Sequence, residues 1–249
     1  MKKGISVVLL AYKEEENLRL LIPKIKEMLE KTGEESEIVV IDGPTAMDNS
    51  AAVCSELGAR YYHQEKAGFA EAFRMGIREA KYRTFLILDA DFSHDPARIP
   101  ALYERFVEKR ADVVIGSRYV KGGVTKDSLP SRMMSFVLNS VYGVTLGIKA
   151  ADLSTDYRIY RTVRLKKVEG RLKCRNYDVL QEVLLFLKQD KQREGRRFKV
   201  EEVPIVFEKR KYGESKRQLL KFIVSYMKSV IYLLGERIRF DAAQSGRSA

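Results

Sequence analysis

Cysteine and histidine are scarce in this chain: two of each in 249 residues. Cys54 and Cys174 lack the spacing of a zinc site and are too few for a disulfide scaffold, so sulfur and imidazole do not organise the fold. No segment reaches the roughly 20 uninterrupted apolar residues of a membrane span. The apolar run Ile5 to Ala11 follows a basic start but is short, and it enters Lys13-Glu14-Glu15-Glu16 without a small-residue cleavage site. It reads as a first strand rather than a secretory signal, and the expected location is cytoplasmic. Neither G-x-G-x-x-G after that strand nor a Walker sequence occurs, which disfavours a dinucleotide dehydrogenase and a P-loop enzyme. Without a zinc-finger spacing or an aromatic-and-arginine module, nucleic acid is not the expected partner. No linker divides the chain.

Positive charge is abundant, with 46 Lys and Arg against 34 Asp and Glu, a net charge of +12. The excess is clustered: Arg158 to Arg175 holds eight basic residues against Glu169, and Lys209 to Lys221 six against Glu214. Anionic partners follow, nucleotides or an acidic membrane surface.

Apolar runs at Ile5 to Leu10, Ile38 to Ile41, Phe85 to Leu88 and Val113 to Ile115 read as strands, the third of them buried on both faces. Between them lie stretches of helical periodicity, such as Leu18, Leu21, Ile22, Ile25, Met28 and Leu29, where Pro23 leaves the helix start open. This alternation predicts an α/β fold with a doubly wound, mostly parallel sheet. Later elements are a helix over Met133 to Leu146, a helix over Asp178 to Leu187 and a strand over Val200 to Phe207. Acids recur at the strand ends: Glu14, Asp42, then Asp89 and Asp91. A parallel sheet would gather them on one rim, where ligands bind. Asp89-Ala90-Asp91 can place two hard oxygens on Mg²⁺ or Mn²⁺, or it can simply open a turn and cap a helix at Pro96.

Five segments in order resemble the inverting glycosyltransferases of family 2, and among them the polyprenol-phosphate glycosyltransferases typified by dolichol-phosphate mannose synthase. They are Ala11-Tyr12-Lys13-Glu14-Glu15-Glu16-Asn17-Leu18, Val40-Ile41-Asp42, Asp89-Ala90-Asp91-Phe92-Ser93-His94-Asp95-Pro96, Val114-Ile115-Gly116-Ser117-Arg118-Tyr119-Val120, and Val203-Pro204-Ile205 with Tyr212-Gly213-Glu214-Ser215-Lys216. The resemblance implies a Rossmann-like GT-A fold and metal-dependent transfer from GDP-mannose or a UDP-sugar to a polyprenyl or dolichyl phosphate. It implies Ala11, Tyr12, Glu14, Asp42 and Ala90 at the nucleotide, Asp89 and Asp91 at Mg²⁺ or Mn²⁺, and Asp91, Arg118, Arg132 and Lys216 at the reacting phosphates. Two departures stand out. Asp42 is followed by Gly43 where the family pairs two Asp, and Ser154-Thr155-Asp156-Tyr157-Arg158 lacks the family's Gly. For a hydroxyl acceptor instead, Asp156, Asp178 and Glu182 are the candidate bases.

The expected division is a GT-A domain over residues 1–217, an amphipathic helix over 218–240 and a disordered tail over 241–249. The helix is too apolar to lie free in water. It packs on the domain, pairs with another subunit in a homo-oligomer, or makes peripheral contact with the inner face of the membrane.

Overall fold

Apolar runs such as Ile5 to Leu9 and Phe85 to Leu88 have no polar face to offer water, and each becomes a strand with helices on both sides. The structure is a computed structural model, described here for residues 1–208 and 219–246. Its main sheet contains β1 (Lys2–Leu10), β2 (Ser36–Asp42), β3 (Arg60–His63), β4 (Tyr82–Asp89) and β5 (Val113–Ser117). After β6 (Val124–Thr125) come β7 (Arg158–Arg161), β8 (Val200–Pro204) and β9 (Val206–Phe207). The seven-stranded order is β3-β2-β1-β4-β7-β5-β8, and β6 and β9 pair in a small second sheet. Every pair is parallel except those of β7, which runs antiparallel to both β4 and β5.

The helices are α1 (Glu15–Glu30), α2 (Ser50–Glu56), α3 (Phe69–Glu79), α4 (Ile99–Glu108), α5 (Leu129–Leu146), α6 (Thr162–Glu169), α7 (Val179–Arg193) and α8 (Leu219–Ser245). On one face of the sheet Phe73 and Ile77 of α3, Leu165 of α6 and Val183 and Leu187 of α7 bury against Val8, Phe85 and Ile87. On the other, Leu18, Leu21 and Ile25 of α1 and Leu102 and Phe106 of α4 cover Val7, Leu9 and Leu88. Helix α3 approaches β1 so closely that a Cβ on Gly76 would sit 2.6 Å from Val8 Cγ1.

Several elements differ from the sequence expectation: the strand expected over Val200 to Phe207 divides between β8 of the main sheet and β9 of the small one, α5 begins at Leu129 and α7 runs on to Arg193. Helix α1 continues through Pro23, because Leu18, Leu21, Ile22, Ile25 and Leu29 bury a continuous face that outweighs the lost hydrogen bond. Helix α8 runs on to Ser245, so residues 241–245 are helical rather than a disordered tail. Arg237 pairs with Asp241 one turn on, at 3.6 Å, and Ala242 and Ala243 are strong helix formers.

One face of α8 packs on the domain. Tyr142 of α5 and Ser229 share a 2.7 Å hydrogen bond, and Arg237 Nη1 donates to the α5 carbonyls of Val144 (2.7 Å) and Thr145 (3.2 Å). The opposite faces of both helices carry exposed apolar side chains: Met133, Phe136, Val137 and Val144 on α5, Met227, Ile231 and Ile238 on α8. No helix among the described residues is long and apolar enough to cross a membrane.

Candidate active site

Strand direction assembles the site. Leu10 pairs with Ile41 and with Asp89, so the carboxyl ends of β1, β2 and β4 form one rim. Because β7 is antiparallel, its beginning falls where β4 ends: Ile87 pairs with Arg158, and two steps along that register bring Asp156 opposite Asp89. The loop from Asp152 to Tyr157 therefore meets the Asp89-Ala90-Asp91 turn.

That turn is strained and internally tied. Phe92 adopts φ +62°, a left-handed conformation that costs a non-glycine residue about 1 kcal/mol or more. Asp91 is buried, and its Oδ1 accepts from the Ser93 backbone N–H (3.0 Å) and the Ser93 hydroxyl (2.5 Å). Below lies His94, fully buried between the Tyr157 and Phe207 rings. The Asp89 backbone N–H donates to His94 Nδ1 at 3.1 Å, which leaves the proton on Nε2, facing Thr155 Oγ1 at 3.3 Å. Burial lowers the histidine's pKa, so the ring stays neutral.

The carboxylates around this neutral ring are crowded. His94 Nδ1 lies 3.7 Å from Asp89 Oδ2 and 3.6 Å from Asp156 Oδ1. Asp89 stays partly open at the rim, with 29 % of its side chain exposed. The packing around it, then the Asp156 carboxylate, push its pKa up to about 8. Burial also raises Asp156, against the hydrogen bond that joins it to Asp89. One ligand atom from each of Asp89, His94 and Asp156 falls within 4.8 Å of the others. Hard oxygens in this crowding are the donors a divalent cation such as Mg²⁺ or Mn²⁺ takes, and such a cation would relieve a repulsion that a shared proton relieves without it. Asp91 is not in this group and is joined to Asp89 through the Ser93 hydroxyl, at 2.5 Å from Asp91 and 3.1 Å from Asp89.

The expected nucleotide residues lie along the same rim. Ala11 is buried and donates its N–H to the Ile41 carbonyl at 2.9 Å. Tyr12 is exposed and lies over Gly43, where a Cβ would come 3.3 Å from its ring. Lys13, at φ +61°, turns the chain so that Glu14 opens α1, its carboxylate accepting from Asn17 Nδ2 at 2.6 Å. Asp42 is buried at the end of β2, taking the Gly43 N–H at 2.6 Å and the Tyr61 hydroxyl at 2.8 Å. Ala90 is buried between the two Asp.

The expected cations are placed less uniformly. Arg118, at the end of β5, is buried and forked onto Asp152, with Nε–Oδ2 at 2.7 Å and Nη2–Oδ1 at 2.9 Å. Its Nη2 also donates to Ser154 Oγ at 2.6 Å, and Asp127 lies 3.6 Å from Nη1. Burial disfavours both charges, but each partner outweighs that for the other: Arg118 is raised and Asp152 lowered. Arg118 thus ties the β5 end to the loop that delivers Asp156. Arg132 is exposed in the first turn of α5. Lys216 lies outside the described residues.

Of the three candidate bases, Asp156 alone reaches the cluster of Asp89 and His94. Glu182 is saturated by the Lys173 and Cys174 backbone N–H groups (2.8 and 2.9 Å) and the Tyr232 hydroxyl (2.9 Å). Asp178 accepts the Asn176 N–H at 3.0 Å, at the start of α7. Sequence reasoning passed over His94 and did not see Asp156 facing Asp89. The signal for His94 was its place within Asp-x-Asp-Phe-Ser-His; for Asp156 it was the antiparallel strand, which periodicity does not reveal.

The chain belongs to glycosyl transferase family 2, whose model matches residues 6–168, and the fold is of the GT-A type. Among its relatives are enzymes of polyprenol phosphates. It is 31% identical over 236 residues to the dolichol-phosphate mannosyltransferase of Pyrococcus furiosus, covering 92% of this chain and 63% of that protein. Against the undecaprenyl-phosphate mannosyltransferase of Micrococcus luteus it is 30% identical, over 85% of this chain and 86% of the relative. The chain thus spans about two thirds or less of the archaeal relative and most of the bacterial one. Its backbone is similar to that of glucosyl-3-phosphoglycerate synthase from Mycobacterium tuberculosis, solved with Mn²⁺, UDP and phosphoglyceric acid. The TM-score is 0.71 at 16% identity, over 94% of this chain and 79% of that one.

Proposed function

We propose that this chain transfers a sugar, with inversion, from GDP-mannose or a UDP-sugar to a polyprenyl or dolichyl phosphate. The observation that carries the reading is Asp89 at the carboxyl end of β4, joined to Asp91 through the Ser93 hydroxyl, in a family 2 fold whose relatives are named as polyprenol-phosphate mannosyltransferases.

Cleaving the sugar-to-diphosphate bond develops negative charge on the departing diphosphate. A divalent cation bound there supplies the charge that stabilises that leaving group. Asp89 and Asp91 hold the cation, while Tyr12, Glu14 and Asp42 flank the nucleotide along the adjoining rim. Lipid phosphate is already an anion and attacks from the opposite face of the sugar without a protein base, which agrees with the engagement of Glu182 and Asp178 elsewhere. The protein's task is then to bring two anions together; Arg132 and Lys216 are the cations assigned to it, and Arg118, engaged by Asp152, acts by holding the site loop in place. The exposed apolar faces of α5 and α8 support peripheral membrane contact beside the lipid acceptor.

The test is transfer from a panel of GDP- and UDP-sugars, with Mn²⁺ or Mg²⁺, to a short polyprenyl phosphate and to hydroxyl acceptors. Inverted product on the phosphate supports the reading; product confined to hydroxyl acceptors overturns it.

A further inference from the structure

Asp156 lies in the stretch that lacks the family's glycine, and the antiparallel entry of β7 carries it to the Asp89 turn. Its side chain is 9 % exposed, with Oδ1 3.6 Å from His94 Nδ1. Among the described residues no Lys or Arg forms an ion pair with it. Arg158, the basic side chain two residues on, is spent on neutral acceptors: the carbonyls of Thr155 (2.7 Å), Leu153 (2.7 Å) and Leu180 (3.1 Å), and the Tyr160 hydroxyl (3.1 Å). Nor does His94 supply a proton, since its Nδ1 accepts the Asp89 N–H. Arg158 acts on Asp156 only at a distance, favouring its charge without an ion pair, and a buried carboxylate aimed at a second carboxylate is costly unless something positive completes the site.

We propose that Asp156 is a third carboxylate of the cation site, and that it lets this chain hold Mg²⁺ or Mn²⁺ before any nucleotide arrives. The inference rests on the reading of Asp89 and Asp91 as the cation's holders and deepens it. Two carboxylates leave a divalent cation dependent on the diphosphate for further oxygens. A third supplies both another hard oxygen and another negative charge, and affinity at such sites rises with ligand charge count. The loop that presents Asp156 is fixed independently of the nucleotide, by the Arg118–Asp152 fork on one side and Arg158 on the other. The third ligand is therefore preorganised. Asp156 becomes a determinant of binding order: metal first, donor second.

The test is Mn²⁺ titration of the nucleotide-free protein, followed by the loss of the free-ion electron paramagnetic resonance signal. The expected result is one site in the wild type, weakened at least tenfold in Asp156→Asn and in Asp156→Gly, with the difference shrinking when saturating GDP or UDP supplies diphosphate oxygens. Thermal unfolding gives an independent readout: Asp156→Asn should unfold at a higher temperature than the wild type without metal and lose the rise that Mn²⁺ gives the wild type. Asp91→Asn separates the two claims. If it loses Mn²⁺ while both Asp156 variants bind like the wild type, the third-ligand proposal is overturned and the two-carboxylate reading stands. Absence of Mn²⁺ binding by the nucleotide-free wild type overturns the proposal as well. If Asp91→Asn binds Mn²⁺ and nucleotide like the wild type, the underlying cation assignment fails and the proposal goes with it.

Discussion

Replacing Asp152 with alanine tests how the site loop is held. Asp152 is fully buried and accepts three hydrogen bonds from Arg118: from Nε (2.7 Å), Nη2 (2.9 Å) and the backbone N–H (3.0 Å). Without Asp152 the guanidinium stays buried, with Asp127 at 3.6 Å as its remaining acidic neighbour. Breaking a buried pair from one side costs roughly 3–5 kcal/mol, mostly the penalty of the stranded charge. In a domain of this size about 1 kcal/mol corresponds to roughly 2–4 °C, so the melting temperature should fall by about 6–20 °C. Removing both charges in Arg118→Met/Asp152→Leu should restore most of that loss, because apolar replacement of a buried pair is often neutral. Calorimetry on the three variants decides the matter. A drop of under about 2 °C for Asp152→Ala, well below the range worked out above, would refute the claim that the fork holds the loop.

Other outcomes follow from the same structure. Gly76→Ala should destabilise by about 1–3 kcal/mol, because the clash with Val8 exceeds the gain in helix propensity. In a denaturant cycle Val8→Ala should cost less beside Gly76→Ala than alone, and strict additivity would contradict the contact. Burial, with Asp42 and Asp48 nearby, pushes the Cys54 thiol up to about 12. Its folded pKa lies above the unfolded one, so the neutral thiol's contribution to stability is intact below about 8.5 and is lost as pH rises through the folded value. Cys54 should thus resist a thiol reagent at pH 8 until the protein is denatured, and rapid native labelling would contradict its burial. Phe136→Asp with Ile231→Asp, both at exposed positions, should abolish cosedimentation with anionic phospholipid vesicles without lowering the melting temperature. Unchanged vesicle binding would reject the membrane face.

Much of this was legible in the chain. The doubly apolar runs marked the central strands, and the acids that follow Leu10, Ile41 and Leu88 marked the rim, because a parallel strand delivers its last residue there. Tertiary context decided the rest. Pro23 does not interrupt α1, since burial of Leu21, Ile22 and Ile25 outweighs the lost bond. Strand direction is not encoded in hydrophobic period, so the reversal at β7, and with it the meeting of Asp156 and Asp89, had no sequence signal beyond a missing glycine. Arg118 was legible as a motif cation, but its fork onto Asp152 pairs residues 34 apart in the chain. For α8 the composition alone did not say which faces pack; Tyr226, Ser229 and Leu233 turn inward, and the exposed stripe is what remains.

The most direct measurement of the central claim is transfer of labelled sugar from GDP-mannose and from UDP-sugars to a short polyprenyl phosphate, by the wild type and by Asp91→Asn. The account predicts product of inverted anomeric configuration from the wild type, lost on chelation of the divalent cation and lost in Asp91→Asn. Product that persists undiminished in Asp91→Asn or in excess chelator would contradict it.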